Sequence, residues 1–344
     1  MMFVCKKCFN DLELIGFIQS YKHFGKCDFC KHQHIEIIDI AELYEFFRQL
    51  LDNFKIDKSG KDIVSIIQKN WRFFKNERIG KQILDYVIKQ VKTPISQIYD
   101  KVTFSNDIIE NINHWDVLKN QLKWERRYIT NIDYLIEDLG WDGFFNSKTN
   151  IASEAILFRA RLHNNANEEV HNKSNMFAPP KEKATPGRAN PAGIPYLYLC
   201  DNEQTVLYEV RAAYLDEITI AKFKLKKTHI GPVFISDFTE IPSLFFSENK
   251  DNQITNQIKS TLLKQKISID LSKPLRRYDS ELDYIPTQFI CEFIRIITHV
   301  GGIKFKSSLH ESGNNIVIFD QNIMECIDIQ KVKISEVNIK YKST

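Results

Sequence analysis

The sequence lacks any apolar run approaching the length of a membrane span, so no segment is a candidate membrane helix. Its opening residues, MMFVCKKCF, lack the apolar stretch of a secretory signal. Net charge is scarce as well. The 47 Lys and Arg against 44 Asp and Glu leave only +3, too little to argue for nucleic acid as the main ligand. Together these absences set the expectation of a cytoplasmic protein with reduced thiols and no membrane partner. What is present describes an ordinary globular chain, with 43% hydrophobic and 26% charged residues. At 344 residues it exceeds the size at which one core stops growing, so more than one domain is expected.

Four of the seven cysteines carry a pattern. Cys5, Cys8, Cys27 and Cys30 read as C-x2-C, an 18-residue gap, then C-x2-C. Each pair presents two thiolates on one tight turn, and two pairs complete a tetrahedron, so a structural Zn2+ is expected. Two disulfides or four unconnected thiols are the alternatives. His32 and His34 lie close enough to replace one cysteine, and Gly25 suits a bend before the second pair. Cys200, Cys291 and Cys326 fall in strand or helix patterns and read as core.

Residues 1–38 are therefore read as a zinc ribbon, with 35–38 as its last strand. Residues 39–148 read as a helical module. Asp39 and Glu42 have capping-box spacing, and Ile40, Leu43, Tyr44, Phe47, Leu50, Leu51 and Phe54 recur at helical intervals. Further helices are expected over 62–75, 78–91 and 115–138, with breaks at Lys58-Ser59-Gly60, Gly80 and Thr93-Pro94. Trp71, Arg72, Lys75, Arg78 and Lys81 form a basic, aromatic group. It reads either as a contact for nucleic acid or an acidic partner, or as a solvated face with Trp71 anchored in the core. The second reading is preferred. A polar stretch at 146–154 marks the boundary to a domain over 155–335.

That domain centres on residues 186–211, PGRANPAGIPYLYLCDNEQTVLYEVR. Pro186-Gly187 and Pro191-Ala192-Gly193 signal turns around Arg188. Residues 194–200 alternate as a strand, with Tyr196 and Tyr198 on one face. Asp201 or Asn202 caps a following helix, and Glu209 falls beside its apolar stripe of Val206, Val210 and Ala213. A carboxylate there needs a partner or a role. Arg188, Tyr198 and Glu209 read as one wall of an anionic-ligand site. The alternative is a surface arginine paired with Glu209 and a half-buried tyrosine. Arg159 and Arg161 alternate along a strand over 156–162. Residues 163–185 read as a polar loop ending in Phe177-Ala178-Pro179-Pro180, a flap over the site. Strands are expected at 217–225 and 231–237, a helical excursion over 238–270, and a helix after Tyr284. In Gly302-Ile303-Lys304-Phe305-Lys306-Ser307, Ser307 continues an apolar face. A one-residue shift would put Ser308 there instead.

The order of Gly187-Arg188, Tyr198 on a strand, Glu209 early in a helix and Ser307 before Asn315-Ile316-Val317-Ile318-Phe319 resembles the RES domain family, named for Arg, Glu and Ser. The resemblance spans roughly residues 155–320. Phe305 stands where the family often has Tyr, and a long insert follows Phe234. The resemblance implies an α+β fold with a split, bent β core like that of ADP-ribosyltransferases, clasping NAD+. It implies an NAD+-consuming enzyme that cleaves the nicotinamide–ribosyl bond by phosphorolysis or hydrolysis, acting as a bacterial toxin or defence effector. In the implied roles, Arg188 holds the diphosphate, with Arg159 and Arg161 as further cofactor-binding groups. Tyr198 stacks on a ring or orients the ribose, Glu209 stabilises the reacting sugar, and Ser307 bonds the ribose or orders the acceptor. Implied partners are NAD+, inorganic phosphate and an antitoxin or regulatory protein, and a homo-oligomer is expected. The N-terminal segment is similar to helical modules grouped with HEPN bundles, but the Arg-then-His pair of HEPN ribonucleases is missing. The alternatives are an ADP-ribosyltransferase acting on a macromolecule and, ranked last, a non-catalytic zinc-ribbon nucleic-acid-binding protein.

Overall fold

A computed structural model describes residues 1–146, 149–165, 169–247, 252–273 and 281–338. The strands are β1 (Phe3–Cys5), β2 (Phe24–Gly25), β3 (Ile35–Asp39), β4 (Phe54–Asp62), β5 (Lys101–Phe104), β6 (Leu157–Leu162), β7 (Leu197–Cys200), β8 (Glu217–Leu225), β9 (Ile235–Asp237), β10 (Gly302–Lys306), β11 (Asn314–Ile318) and β12 (Met324–Lys333). The α-helices are α1 (Leu12–Ser20), α2 (Tyr44–Leu51), α3 (Ile63–Trp71), α4 (Glu77–Ile88), α5 (Asn106–Trp124), α6 (Trp141–Phe144), α7 (Glu203–Glu209), α8 (Gln253–Ser272) and α9 (Ile285–Ile297). The chain divides into two compact units: Met1–Asp116 with Glu240–Leu263, and Val117–Thr239 with Lys264–Thr344.

The first unit opens with a small antiparallel sheet in the order β1-β3-β2. Helix α1 occupies the gap between the two cysteine pairs. Asp11 starts it, one carboxylate oxygen accepting from Leu14 N at 3.1 Å and the other from Leu244 N at 2.7 Å. Gly25 is not a bend residue: it lies in β2, where the side chain of Ile37 leaves little room for a Cβ. Asp39 caps a short 3-10 turn over Ile40–Leu43, and α2 follows. Asp62 caps α3, and Arg72 ends it in the left-handed region at φ 50°.

Three expectations for this stretch are corrected. The helical reading hid a strand pair, β4–β5, in which Phe54 stacks on Phe104 at 4.9 Å and a register shift absorbs the residues between Ile56 and Lys61. The helix expected over 115–138 is α5, which starts at Asn106. Gly80 does not break α4 but packs its bare backbone against Phe74 and Val64. Trp71 is buried, and its Nε1 donates to Thr261 Oγ1 at 3.3 Å, so it is a core anchor.

The second unit is built on a seven-stranded, mostly antiparallel sheet in the order β12-β8-β6-β7-β11-β10-β9, with β9 and β10 parallel. Strand β6 pairs with β8 along its whole length but with β7 only at Phe158↔Cys200. One sheet face buries Leu157, Leu197, Leu199, Phe223, Ile316 and Ile318. Phe177 packs on Phe223 there, and Met176 beside it is fully buried. The Met176–Phe177 part of the segment expected to be a flap therefore belongs to that core, while residues 172–175 are exposed and 166–168 lie outside the described residues. Across the sheet, Phe158, Cys200, Asn315 and Phe305 stand in one register row over four strands. Opposed residues in antiparallel pairs share a face, so this row forms one surface. Val206 of α7 packs with Cys200 and Ala160 on that side.

Candidate active site

The turn at 187–190 is held from several directions. Asn190 is buried, and its Nδ2 donates to the carbonyls of Thr185 and Pro191, both at 3.1 Å. The Tyr198 hydroxyl donates to Asn190 Oδ1 at 2.7 Å and accepts from Ala189 N at 3.0 Å. Gln288 of α9 donates to the carbonyls of Gly187 and Asn190 at 2.8 and 3.0 Å. A Cβ at residue 187 would lie 2.7 Å from both Asn190 Oδ1 and the Tyr198 hydroxyl oxygen, so only glycine permits this closeness. The clamp fixes the backbone around Arg188. Among the described residues, that guanidinium has one hydrogen bond, a long one of 3.4 Å to Leu271 O. Most of its five donors are free for a ligand.

Helix α7 begins at Asn202, whose side chain accepts from Thr205 N at 2.9 Å. Asp201, the other cap candidate, instead accepts from Asn314 N and Nδ2 at 2.9 and 2.6 Å. Glu209 ends α7. The negative end of a helix is a poor place for a carboxylate, so local donors must hold it. Ser307 Oγ donates to Glu209 Oε1 at 2.7 Å, and Asn315 Nδ2 donates to the same oxygen at 2.8 Å. Ser307 Oγ also accepts from the backbone N–H groups of Leu309 and His310 at 3.2 and 3.1 Å. Its donor and both lone pairs are thereby used. Glu209 Oε2 has no hydrogen bond among the described residues. Ser307 is buried and Ser308 exposed, which settles the register between them. His310 stacks on Tyr208 with rings 4.9 Å apart and meets Thr205 Oγ1 at 2.8 Å, tying the loop after β10 to α7.

A cavity of about 360 Å³ joins these groups, within the usual span of small-molecule sites. Arg159, Arg188, Tyr198, Glu209, Tyr284 and Asn315 supply its polar lining. Arg188 and Glu209 form no ion pair with each other among the described residues. Arg161 does not line the cavity, and Ser307 reaches it only through Glu209. Arg159 donates to the carbonyl of Tyr198 at 3.1 Å, in the gap where β6 leaves β7. Its Nε is buried without a partner among the described residues. Burial, and then the neighbouring Arg161, bring its pKa down to about 10, so it stays cationic at neutral pH. Burial raises the Tyr198 phenol, which remains a neutral hydroxyl. Burial and then the Glu209 charge raise the Cys200 thiol, whose Sγ lies 3.1 Å from Asn315 Oδ1. Sequence reasoning assigned no role to Asn190, Gln288, Asn315 or His310. Only Asn315 left a trace, as an amide heading an apolar strand.

The four N-terminal cysteines converge. Their sulfurs all lie within 4.8 Å of one another, with Cys5–Cys8 at 3.9 Å, Cys8–Cys27 at 3.5 Å and Cys5–Cys30 at 3.3 Å. None of the four is in a disulfide. A tetrahedral ion with bonds of about 2.3 Å sets sulfur–sulfur edges of roughly 3.8 Å, so the residues fit one metal. His32 Nδ1 lies 3.2 Å from Cys30 Sγ, beside the four rather than in place of one.

A family model described as RES domain matches residues 156–340, more than half of the chain. No curated protein and no solved structure matches it.

Proposed function

Because the chain belongs to the RES domain family, we propose that its cavity binds NAD+ and that the protein cleaves the nicotinamide–ribosyl bond. The observation that carries this reading is the Glu209 carboxylate. One of its oxygens is tied by Ser307 and Asn315, and the other is left toward a cavity lined by two arginines. In the proposed reaction the C1′–N bond breaks and its electron pair stays on the nicotinamide nitrogen, which leaves as a neutral ring. The ribose takes on oxocarbenium character and is captured by an oxygen of phosphate or water. A fixed carboxylate near C1′ stabilises that positive charge without reorganising. Arg188 has the free donors and the planar fork suited to a diphosphate, and Arg159 adds positive charge in a low-dielectric wall.

In this reading Ser307 acts differently from what the resemblance implies, and of the two roles implied for Tyr198 only the ring contact is kept. The Tyr198 hydroxyl is committed to the turn around Arg188, so its ring faces the ligand while its oxygen positions the loop. Ser307 positions Glu209. The single cross-strand pair between β6 and β7 supports reading the sheet as the split, bent core of ADP-ribosyltransferase-like folds. The cysteine cluster is read as a structural zinc site. Four thiolates fill a tetrahedron and leave no position for a reacting water. Action as a toxin or defence effector is the corresponding cellular role.

The test is to incubate purified protein with NAD+, with and without phosphate, and identify the products by chromatography and mass spectrometry. Nicotinamide with free ADP-ribose or its 1″-phosphate is expected. Glu209→Gln should lower turnover about 100–1000-fold, the usual effect of one preorganised electrostatic group. Full activity in that variant, or ADP-ribose attached to macromolecules, would overturn the proposal.

A further inference from the structure

The first unit holds a second cavity, larger than the one above at about 810 Å³. Three stretches wall it: the cysteine turns, α1 and the start of α4. The walls are fixed to each other. Phe9 bridges Phe74, Asn10 N donates to Phe73 O at 2.8 Å, and Lys75 N donates to Cys8 O at 2.9 Å. Asn10 Nδ2 adds bonds to the carbonyls of Arg72 and Phe74 at 2.9 and 2.8 Å.

Charge in this groove is one-sided. Lys6, Lys7, Lys31, Lys75 and Arg78 line it, and no aspartate or glutamate does. Lys6 is paired with Glu36 at 3.0 Å. Among the described residues no ion pair engages Lys7, Lys31, Lys75 or Arg78. On a chain whose net charge is only +3, four cations outside any ion pair among the described residues, one of them Lys31 donating to the carbonyl of Asp28, form a local anion-attracting field around one concavity. Apolar surface lies between them, and its accessible part is aliphatic. Leu12 is 77% exposed and Ile15 and Ile79 are half-buried, whereas Phe9 and Phe29 are 2% and 8% exposed. Single-stranded nucleic acid stacks its bases on a run of open aromatic faces, and this groove offers the His32 imidazole and no exposed Phe, Tyr or Trp. Leucine-like side chains flanked by carboxylates match both of its properties.

We propose that this groove docks an acidic amphipathic helix of a partner protein, its apolar stripe on Leu12, Ile15 and Ile79 and its carboxylates on Lys7, Lys31, Lys75 and Arg78. Helix-in-groove recognition takes its register from the apolar anchors and its orientation from the charged rim. Two of these lysines are carried on the cysteine turns, Lys7 between Cys5 and Cys8 and Lys31 directly after Cys30. The placement of these two lysines in the groove therefore depends on how the cysteine turns are held.

The experiment uses the full chain and fluorescence anisotropy. The probe is a labelled 18-residue helical peptide with leucine on one face and glutamate on the other. Its competitors are a scramble of equal composition without an apolar face and an 18-nucleotide single-stranded RNA. Saturable binding of the amphipathic peptide is expected, at least tenfold tighter than the scramble and the RNA. The triple variant Lys7→Glu, Lys75→Glu, Arg78→Glu should weaken it on the order of a hundredfold, about fivefold per exposed charge reversed. Leu12→Ser should weaken it at unchanged charge, and Lys92→Glu, an exposed lysine outside the groove, should not. Circular dichroism verifies that each variant is folded. No peptide binding, equal binding of the scramble, tighter binding of the RNA, or full affinity in the triple variant would each overturn the proposal.

Discussion

Replacing Ser307 by alanine separates a residue that positions the carboxylate from one that touches the substrate. The hydroxyl donates its only proton to Glu209 Oε1 at 2.7 Å and fills both lone pairs with the N–H groups of Leu309 and His310. Nothing remains to offer a ligand. The variant loses one charge-assisted hydrogen bond, about 1.5–3 kcal/mol, equivalent to roughly 10–100-fold in rate. Asn315 still grips the same oxygen at 2.8 Å, so the low end is expected for kcat/KM, about 10–30-fold. Two N–H groups also lose their acceptor, which should destabilise the second unit by about 1–3 kcal/mol. Urea unfolding measures that cost, and rates are then compared at equal folded fraction. The decisive measurement is a double-mutant cycle on NAD+ consumption. In a Glu209→Gln background, Ser307→Ala should cost little further, because the group it positioned is gone. If the serine change costs the same factor with and without Glu209, Ser307 acts on the substrate directly and the positioning argument is wrong.

Other outcomes follow from the same geometry. Arg188→Lys keeps the charge but loses the planar fork, so NAD+ should bind about tenfold more weakly by calorimetry with an unchanged melting temperature. Equal affinity would remove the diphosphate assignment. Arg159→Met should raise the melting temperature of the ligand-free protein by a few degrees while weakening NAD+ binding, since it removes a buried cation whose Nε has no partner among the described residues. A lower melting temperature would mean that the bond to Tyr198 O outweighs the burial cost. Metal analysis should find about one zinc per chain, lost in Cys8→Ser together with part of the thermal stability. Unchanged stability after metal removal would end the structural-zinc reading.

What the sequence made legible was local. The paired cysteines announce themselves because ligand geometry dictates their spacing. Strand β7 and helix α7 followed from alternation and a cap at Asp201 or Asn202, within a few residues. Glu209 stood out as a carboxylate at the edge of an apolar stripe, whereas strand parity left Ser307 and Ser308 open and burial decides between them. What escaped was long-range. Gln288 lies about a hundred positions from the turn it supports, and no periodicity links them. Asn315 reaches Glu209 only because β11 runs between β7 and β10. The β4–β5 pair was missed because Phe54 also continues a helical stripe, and the partner strand that decides its state lies some fifty residues on. The supposed flap was misread because proline-rich polar loops look mobile, while the contact of Phe177 with Phe223 depends on tertiary packing.

The clamp around residues 187–190 has a consequence for sequence drift. Apolar positions in the sheet tolerate exchange among residues of similar volume, one at a time. Gly187, Asn190, Tyr198 and Gln288 form a closed circuit in which every donor has a matching acceptor and one atom too many does not fit. Among related chains these four should change as a set or not at all, and a library that randomises them singly should return almost only the parent residues.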